Sequence, residues 1–196
     1  DMKRIAIDIG GTFTDVVAES GSGRVTTKVL TTPAAPEHGV FTGISLALQE
    51  ANLKASEVDL LIHGTTLATN AIIERTGAIT ALVTTSGFRD TLDIGYESRY
   101  DQYDIFLDKP MPLVPRRLRM TIPERISAKG DILIPLDEMA VQALIPNLEQ
   151  YEVTSVAVGF LHSYSNPIHE KRVRDLLSKA MPNLYITISS DVCPEI

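Results

Sequence analysis

The segment at residues 8–15, DIGGTFTD, combines the residue types that a phosphate-binding turn uses. It contains two carboxylates, two glycines and two threonines: Asp8, Gly10, Gly11, Thr12, Thr14 and Asp15. The glycines allow positive φ and leave the backbone amides open to a ligand, and the threonines add hydroxyl donors. The carboxylates can hold Mg²⁺ through water or orient an attacking group. The alternative is an ordinary hairpin with polar residues at its turn.

A second candidate anion site lies in residues 63–78, HGTTLATNAIIERTGA. A strand is expected to end at His63, Gly64 makes the turn, and Thr65 or Thr66 caps the following helix. A helix N-terminus presents free amides and the positive end of the helix dipole, which attract an anion. The alternative is a simple helix cap beside a buried histidine.

A third segment, TTSGFRD at residues 84–90, repeats this strand-turn-helix order. Arg89 can reach a carboxylate or phosphate, and Asp90 can hold the arginine in place. The carboxyl ends of adjacent parallel strands share one crevice, so this turn and the turn at residues 63–66 are expected to face the same ligand. Taken alone, the segment also fits a plain Arg-Asp pair on a first helical turn.

Two further groups of polar residues have simpler interpretations. The basic cluster PRRLR at residues 115–119 is expected to be a solvated or subunit-contacting face. His162, His169 and Glu170 match no known spacing of metal ligands, so a structural role is expected for them. The chain has no GxxxxGK[ST], GxGxxG, GxSxG or HExxH motif, which argues against P-loop, dinucleotide-binding, serine hydrolase and zinc protease sites.

The elements that position these residues follow from glycine-rich turns and hydrophobic periodicity. Strands are predicted at 4–9, 13–19, 24–30, 59–63, 79–84, 153–160 and 184–189, and helices at 39–52, 67–76, 87–93, 136–150 and from 166 onward. Residues 95–135 are predicted to form an irregular surface arm. Three antiparallel strands followed by strand-helix units predict a mixed sheet in a ribonuclease H-like lobe. A doubly wound fold is the alternative.

Composition limits the partners of the chain. Its 196 residues carry a net charge of −7, which disfavours nucleic acid and anionic membranes as partners. No apolar run reaches the length of a membrane span. Cys193 is the only cysteine, so disulfide frameworks and cysteine-rich zinc sites are excluded. A cytoplasmic location is expected.

Five segments taken together resemble the amino-terminal region of the hydantoinase A/5-oxoprolinase family. They are DIGGTFTD, HGTTLATNAIIERTGA, TTSGFRDTLDIG, IPERI with the later PLDE, and VAVGFLHSYSNPIHE. The family includes N-methylhydantoinase, 5-oxoprolinase, and subunits of acetone and acetophenone carboxylases. The resemblance implies the ATPase fold of actin, sugar kinases and Hsp70, with residues 2–196 forming one amino-terminal lobe.

The resemblance also implies an ATP-dependent hydrolase of cyclic amides that phosphorylates a carbonyl oxygen with Mg²⁺ present. Asp8 would lie near Mg²⁺, with Asp15 as the second catalytic carboxylate. The turn Gly10, Gly11 and Thr12 would contact phosphate with support from Thr14, and Asn70 would lie behind the turn at residues 63–66. The implied partners are a carboxy-terminal lobe that this chain lacks, a hydantoinase B-type subunit, and a small cyclic amide or ketone.

One feature of the resemblance leaves alternatives open. Tyr96 and Tyr100, around Arg99, depart from the pattern of many relatives, which bears on the substrate class. A ketone carboxylase subunit of the same family and a non-catalytic nucleotide-binding scaffold lobe are therefore alternatives. A sugar or acetate kinase lobe would share the hairpin but would not be expected to carry HGTTLATN and GFRD.

Overall fold

The computed structural model describes residues 2–32, 34–94, 103–104, 106 and 110–195. Tyr96, Arg99 and Tyr100 lie outside these ranges. The chain divides into two compact units, Asp1–Gly77 (unit 1) and Ala78–Ile196 (unit 2). The assignment of residues 2–196 to a single lobe therefore remains a prediction, and each unit is described by itself.

Unit 1 is a four-stranded sheet with two helices. Its elements are β1 (Arg4–Ile9), β2 (Phe13–Ser20), β3 (Gly23–Leu30), α1 (Pro36–Glu50), β4 (Leu60–Thr65) and α2 (Leu67–Glu74). The strand order is β3-β2-β1-β4, in which β1, β2 and β3 are antiparallel neighbours and β4 is parallel to β1. The three predicted amino-terminal strands are therefore confirmed.

The core of unit 1 follows from the period of two in β1. Ile5, Ile7 and Ile9 are buried on one face of the sheet, where Val16 of β2 joins them. Helix α1 packs closely on this face, because a Cβ on its Gly43 would lie only 2.7 Å from Val16 Cγ2. Asp8 lies on the opposite face of β1, where its side chain is exposed.

Unit 2 contains a four-stranded parallel sheet. Its elements are β5 (Thr80–Thr85), β6 (Arg119–Ile122), β7 (Arg125–Ile126), β8 (Ile132–Ile134), α3 (Glu138–Gln142), α4 (Ile145–Gln150), β9 (Ser155–Gly159), α5 (Ile168–Ala180), β10 (Tyr185–Ile188) and α6 (Ser189–Val192). The order is β10-β9-β5-β6, and every adjacent pair is parallel. Strands β7 and β8 form a small antiparallel pair.

The prediction of an irregular surface arm at residues 95–135 is wrong around β6, where the chain forms a buried strand. Leu118, Met120 and Ile122 are buried in the core of unit 2, and Ile126 is also buried. The strand is only four residues long and lies between prolines and charges, so its periodicity is too short to detect.

Two predicted helices are also corrected. The single helix at 136–150 is two helices, α3 and α4, and Pro146 lies in the first turn of the second, where proline is tolerated. The helix at 87–93 is a turn followed by a single 3₁₀ turn at Thr91–Asp93. Within the described residues, no helix is both long and apolar enough to cross a bilayer.

The expectation of one crevice shared by two turns rested on a wrong premise. Strand β4 belongs to the sheet of unit 1, whereas β5 pairs with β6 and β9 in the sheet of unit 2. The two strands are therefore not neighbours in one sheet. That the turns after β4 and β5 face the same ligand stays a prediction.

Candidate phosphate-binding site

The β1–β2 turn is tight because of its two glycines. The Gly10 amide donates a hydrogen bond to Phe13 O at 2.9 Å, and a Cβ on Gly10 would lie 3.0 Å from that same oxygen. A Cβ on Gly11 would lie 3.3 Å from Asn70 Nδ2 on α2. Side chains at these two positions would crowd the turn, so glycine keeps its backbone close to α2 and open to a ligand.

Hydrogen bonds from Thr31, a residue outside the predicted site, hold the backbone of the turn in place. The Thr31 hydroxyl donates to Gly10 O at 2.9 Å, and the Thr31 amide donates to Thr12 O at 2.9 Å. Thr31 uses its only hydroxyl proton on Gly10 O, so the Thr14 hydroxyl donates to Thr31 Oγ1 at 2.9 Å. Nothing in the local sequence around Thr31 distinguishes it from its neighbour Thr32.

This geometry corrects the expectation that the Thr14 hydroxyl, like that of Thr12, is a donor for a phosphate ligand. Its side chain is fully buried on the face that packs against α1, and its hydroxyl is engaged with Thr31. Thr14 therefore supports the turn from the core. Thr12, in contrast, is exposed at the turn itself.

The two predicted catalytic carboxylates lie side by side but differ in their surroundings. Asp8 and Asp15 are directly opposite each other in the β1–β2 register, on the face away from α1. Asp15 forms an ion pair with Lys28 Nζ at 3.3 Å, across the β2–β3 register. Asp8 is exposed and has no hydrogen-bond or ion-pair partner among the described residues. Asp8 is thus the carboxylate that can accept a ligand or metal.

The β4–α2 turn borders the same end of β1. Gly64 lies next to Asp8 in the parallel register, and Thr65 lies next to Ile9. The Thr66 amide donates to Ile9 O at 3.1 Å, so the start of α2 is joined directly to the end of β1. The Asn70 side chain lies 3.5 Å from Thr66 Oγ1, beside Gly11. The β4–α2 turn and the β1–β2 turn are therefore neighbours within unit 1.

Strand β4 extends to Thr65, beyond its predicted end at His63, and the structure decides two details that the sequence left open. His63 pairs with Ile7, so the alternation of the strand places it on the face opposite Asp8, and its side chain is exposed instead of buried. Thr66 occupies the N-cap position without a capping side-chain bond, whereas Thr65 Oγ1 accepts from the Leu67 amide at 3.2 Å. The threonine that satisfies the helix start is thus Thr65.

The residues at this site fit Mg²⁺ that is bound jointly by the protein and by the phosphates of a ligand. Within the described part of the chain, no group of three or more His, Cys, Asp or Glu side chains could hold a metal ion. Mg²⁺ commonly binds through one or two carboxylates together with substrate phosphates and water. Asp8, beside an open backbone turn, matches that donor set.

Arg89 and Asp90 lie in unit 2 and do not pair in the predicted way. Asp90 accepts two hydrogen bonds from Arg116, at 2.9 and 3.0 Å, and these lower the pKa of Asp90 below its ordinary value. Arg89 Nη2 donates instead to Arg116 O at 2.9 Å. The partner of the aspartate is therefore an arginine from the basic cluster, brought close by the fold.

The basic cluster at residues 115–119 is not simply a solvated face. The Arg119 side chain is only 2% exposed, and it forms a two-pronged ion pair with Asp93. Hydrogen bonds from Arg119 lower the pKa of Asp93. The sequence did not indicate this burial, because Arg119 begins β6, a strand of only four residues that is too short to show a hydrophobic period.

His169 and Glu170 have structural hydrogen-bond partners at the start of α5. His169 Nδ1 lies 2.8 Å from Glu124 Oε2, and the other oxygen of Glu124 accepts from Thr85. Glu170 accepts from the Phe160 amide and from the Ser189 and Ser190 groups that follow β10. His162 contacts Tyr164 at 3.0 Å. The sequence did not identify Glu124 as buried, because a carboxylate between Pro123 and Arg125 is typical of an exposed loop.

Comparison with known proteins places this geometry in a family. A family model described as "Hydantoinase/oxoprolinase N-terminal region" matches residues 4–181. The chain is 35% identical to the caprolactamase subunit alpha of Pseudomonas jessenii, covering 98% of this chain and 29% of that protein. It is 31% identical to 5-oxoprolinase of Saccharomyces cerevisiae, covering 98% of this chain and 18% of that protein.

Solved structures agree with the sequence relatives. A nucleotide-free structure of acetone carboxylase, from work on ATP-dependent acetone carboxylation, superposes with a TM-score of 0.84 at 26% identity and covers 100% of this chain and 30% of that chain. A crystal structure of ATP-dependent caprolactamase from Pseudomonas jessenii gives 0.80 at 34% identity, covering 98% and 29%. This chain thus spans less than a third of these relatives.

The predicted fold class is confirmed by these structures, since the mixed α/β arrangement is that of an actin-like ATPase lobe. The resemblance drawn from five sequence segments is confirmed by the family match over most of the chain. The chain belongs to the hydantoinase/oxoprolinase family and corresponds to its amino-terminal region.

Proposed function

We propose that this chain supplies the phosphate-binding part of an ATP-dependent enzyme that hydrolyses a cyclic amide. The observation that carries the proposal is the exposed, unpaired carboxylate of Asp8 beside the Gly10-Gly11 turn, whose backbone is anchored by Thr31. A preorganised turn of this kind binds phosphate oxygens without a large conformational cost. The relatives known as ATP-dependent enzymes support this choice of ligand.

In the proposed mechanism, Asp8 would hold the Mg²⁺ of Mg-ATP. The amides of Gly10 and Gly11 and the Thr12 hydroxyl bind phosphate oxygens. Asp15, which is paired with Lys28, limits the charge next to Asp8 and orients the turn. Mg²⁺ neutralises negative charge on the phosphates, as it does in other phosphoryl transfers.

Phosphorylation explains why a cyclic amide would require ATP. An unstrained amide is a poor electrophile, and transfer of the γ-phosphoryl group of ATP to its oxygen, with release of ADP, would make its carbon more electrophilic. Water would add to that carbon, the C–N bond would break as the nitrogen takes up a proton, and the acyl phosphate left behind would be hydrolysed to a carboxylate and phosphate. The same step on the oxygen of a ketone enolate would prepare it for carboxylation. The ketone carboxylase therefore stays the second candidate, because acetone carboxylase is among the structural neighbours.

The proposed assembly follows the same relatives. We propose that the chain acts within a longer protein whose second lobe supplies the adenosine pocket. A hydantoinase B-type subunit or domain is the proposed partner, supported by the caprolactamase relative, which is itself a subunit. A cytoplasmic location remains part of the proposal, and a non-catalytic scaffold lobe is the alternative.

The deciding experiment is calorimetric titration of Mg-ATP into the whole protein and its Asp8→Asn variant. We expect saturable binding in the wild type and at least about a tenfold weaker affinity in the variant, since a carboxylate that holds the metal is lost. Turnover by the variant should be abolished, and its circular dichroism spectrum should match that of the wild type because Asp8 is exposed.

The matched control is Glu19→Gln, which removes one carboxylate on the same sheet face at the other end of the hairpin. Glu19 pairs with Arg4, far along the ladder from the turn. This variant should bind Mg-ATP as the wild type does. Wild-type ATPase activity in Asp8→Asn would contradict the assignment, and no binding to the wild type would favour the scaffold alternative.

A further inference from the structure

A second concave site lies wholly within unit 2. A pocket of about 420 Å³ opens between the edge strand β6 and helix α4. Its polar lining comprises three arginines and three neutral hydrogen-bonding side chains: Arg89, Arg117, Arg119, Thr121, Asn147 and Tyr151. Among the described residues, no carboxylate lines it. Because the chain as a whole carries a charge of −7, a pocket walled by cations is a local feature and not a general property of the surface.

The three arginines differ in how far their charge is already neutralised. Arg119 is buried, pairs with Asp93 through both of its terminal nitrogens, and donates from Nε to Val114 O at 2.9 Å. It therefore forms a fixed wall of the pocket. Its charge is already neutralised within the protein by Asp93.

The other two arginines have no such carboxylate partner. In the described part of the chain, neither Arg89 nor Arg117 forms an ion pair, since Asp90 is occupied by Arg116. Arg89 uses Nη2 on Arg116 O, while its Nε is buried without an acceptor. No carboxylate among the described residues neutralises the charge of these two guanidinium groups, so an anionic ligand in the pocket can pair with them.

The size and shape of the pocket restrict the ligand. Its volume lies in the range of small-molecule sites, and its back is formed by a buried strand, so the walls are preformed. Guanidinium groups bind carboxylates and phosphates through paired hydrogen bonds. We propose that this pocket binds a small oxyanion, a carboxylate or phosphate group, through Arg117 and Arg89, with Asn147 and Tyr151 contacting the rest of the ligand.

The test is calorimetric titration of the 196-residue chain with inorganic phosphate and, separately, with malonate, at constant ionic strength. We expect saturable binding of at least one anion, weakened about tenfold by Arg117→Gln, because one charge-assisted interaction is removed. Arg117 is exposed, so this variant should fold normally. Stronger binding of phosphate identifies a phosphate-bearing ligand, and stronger binding of malonate identifies a carboxylate.

Two controls make the result specific. Arg24→Gln removes an exposed arginine from unit 1 with the same change in net charge, and it should bind both anions as the wild type does. The ¹⁵Nε–Hε resonance of Arg89 should shift on saturation, which a purely structural arginine would not show. Absence of saturable binding of both anions, or wild-type affinity in Arg117→Gln, would overturn the proposal. The pocket lies in unit 2 and the proposed ATP site in unit 1, so weaker binding in Arg117→Gln assigns the anion to this pocket.

Discussion

At the scale of single residues, the candidate site contains two aspartates and two threonines. In each pair, one side chain already has a partner within the protein and the other faces solvent. Asp8 and Asp15 are the same residue type at opposite positions of one hairpin, yet only Asp15 has a lysine opposite it on the third strand. Thr12 and Thr14 likewise divide into an exposed and a buried hydroxyl. The sequence could predict the set of residues, since type and spacing are local. It could not predict which aspartate and which threonine would have a partner, because the partners, Lys28 and Thr31, are brought close only by the fold.

The division of the two threonines makes a testable contrast in stability. Thr14→Val keeps the shape of a buried side chain but removes the donor to Thr31, so the free energy of unfolding should fall by about 1–2 kcal/mol. Thr12→Val alters an exposed side chain and should change stability by less than about 0.5 kcal/mol. Urea denaturation monitored by circular dichroism measures both.

Ligand binding should show the reverse order for the same pair. Thr12→Val should weaken Mg-ATP binding to the whole protein, because its hydroxyl is placed to contact phosphate. Thr14→Val should weaken it less, as long as the protein is measured where it is folded. Equal losses of stability in the two variants would show that the Thr14–Thr31 bond does not support the turn.

At the scale of elements, local periodicity predicted those parts of the fold in which a long strand has one buried face. Strands β1, β2 and β3 are six to eight residues long, and their glycine-rich connections were readable from sequence. Strand β6 has only four residues, three of them buried, so neither alternation nor a turn signal marked it. The separate sheets of β4 and β5 result from long-range pairing, which strand-helix order alone does not specify.

Close packing of α1 on the first sheet predicts the effect of enlarging one glycine. In Gly43→Ala the new Cβ would lie 2.7 Å from Val16 Cγ2, too short for a carbon-carbon contact. Overpacking typically costs about 1–3 kcal/mol, and the better helix propensity of alanine offsets about 1 kcal/mol of it. We expect a net loss of about 1 kcal/mol in urea denaturation.

A second substitution tests the cause of that loss. In Gly43→Ala combined with Val16→Ala, the clashing methyl groups are removed, so the double variant should be more stable than the sum of the two single changes implies. Strict additivity would indicate that α1 shifts away from the sheet and that the contact with Val16 is not the source of the cost.

The ion pair that joins the turn after β5 to β6 predicts a pH dependence. Arg119 lowers the pKa of Asp93, so the folded protein keeps this carboxylate ionised at pH values where the unfolded chain, with a pKa of about 3.9, binds a proton. The stabilisation is present above about pH 4 and is lost as pH falls through the lowered pKa of the folded state. Its size is modest, because the Asp93 side chain is 45% exposed.

The variant Asp93→Asn should therefore be less stable at neutral pH and lose less stability on acidification than the wild type. Thermal melting midpoints between pH 2 and 7 provide the measurement. Glu149→Gln, at an exposed position without an ion pair among the described residues, is the matched control and should follow the wild-type curve. An unchanged acid dependence in Asp93→Asn would mean that the ion pair contributes nothing to folding.

At the scale of the whole molecule, family membership was readable from the sequence because five co-linear segments carry it. The reaction could not be predicted from the sequence, because the relatives include a caprolactamase and a 5-oxoprolinase as well as acetone carboxylase. Tyr96 and Tyr100, where the substrate class was expected to show, lie outside the described residues. Activity must therefore be distinguished by experiment.

Substrate-dependent ADP release by the whole protein with its partner subunit separates the two proposed activities. We expect cyclic amides such as hydantoin or 5-oxoproline to accelerate ADP release at least about tenfold over the background, because productive phosphoryl transfer requires an acceptor oxygen held in line. Acceleration by acetone with bicarbonate and not by any lactam would instead establish the carboxylase alternative. Asp8→Asn should abolish either response.

The hydrogen bonds of Glu170 have a consequence for synthesis on the ribosome. This fully buried carboxylate is satisfied by the Phe160 amide before it and by Ser189 and Ser190 well after it. Until the two serines have emerged from the exit tunnel, burying Glu170 would leave its charge short of donors. The hairpin of unit 1 can form from its own first residues, whereas the hydrogen bonds of Glu170 in unit 2 cannot be completed until Ser190 has emerged from the exit tunnel.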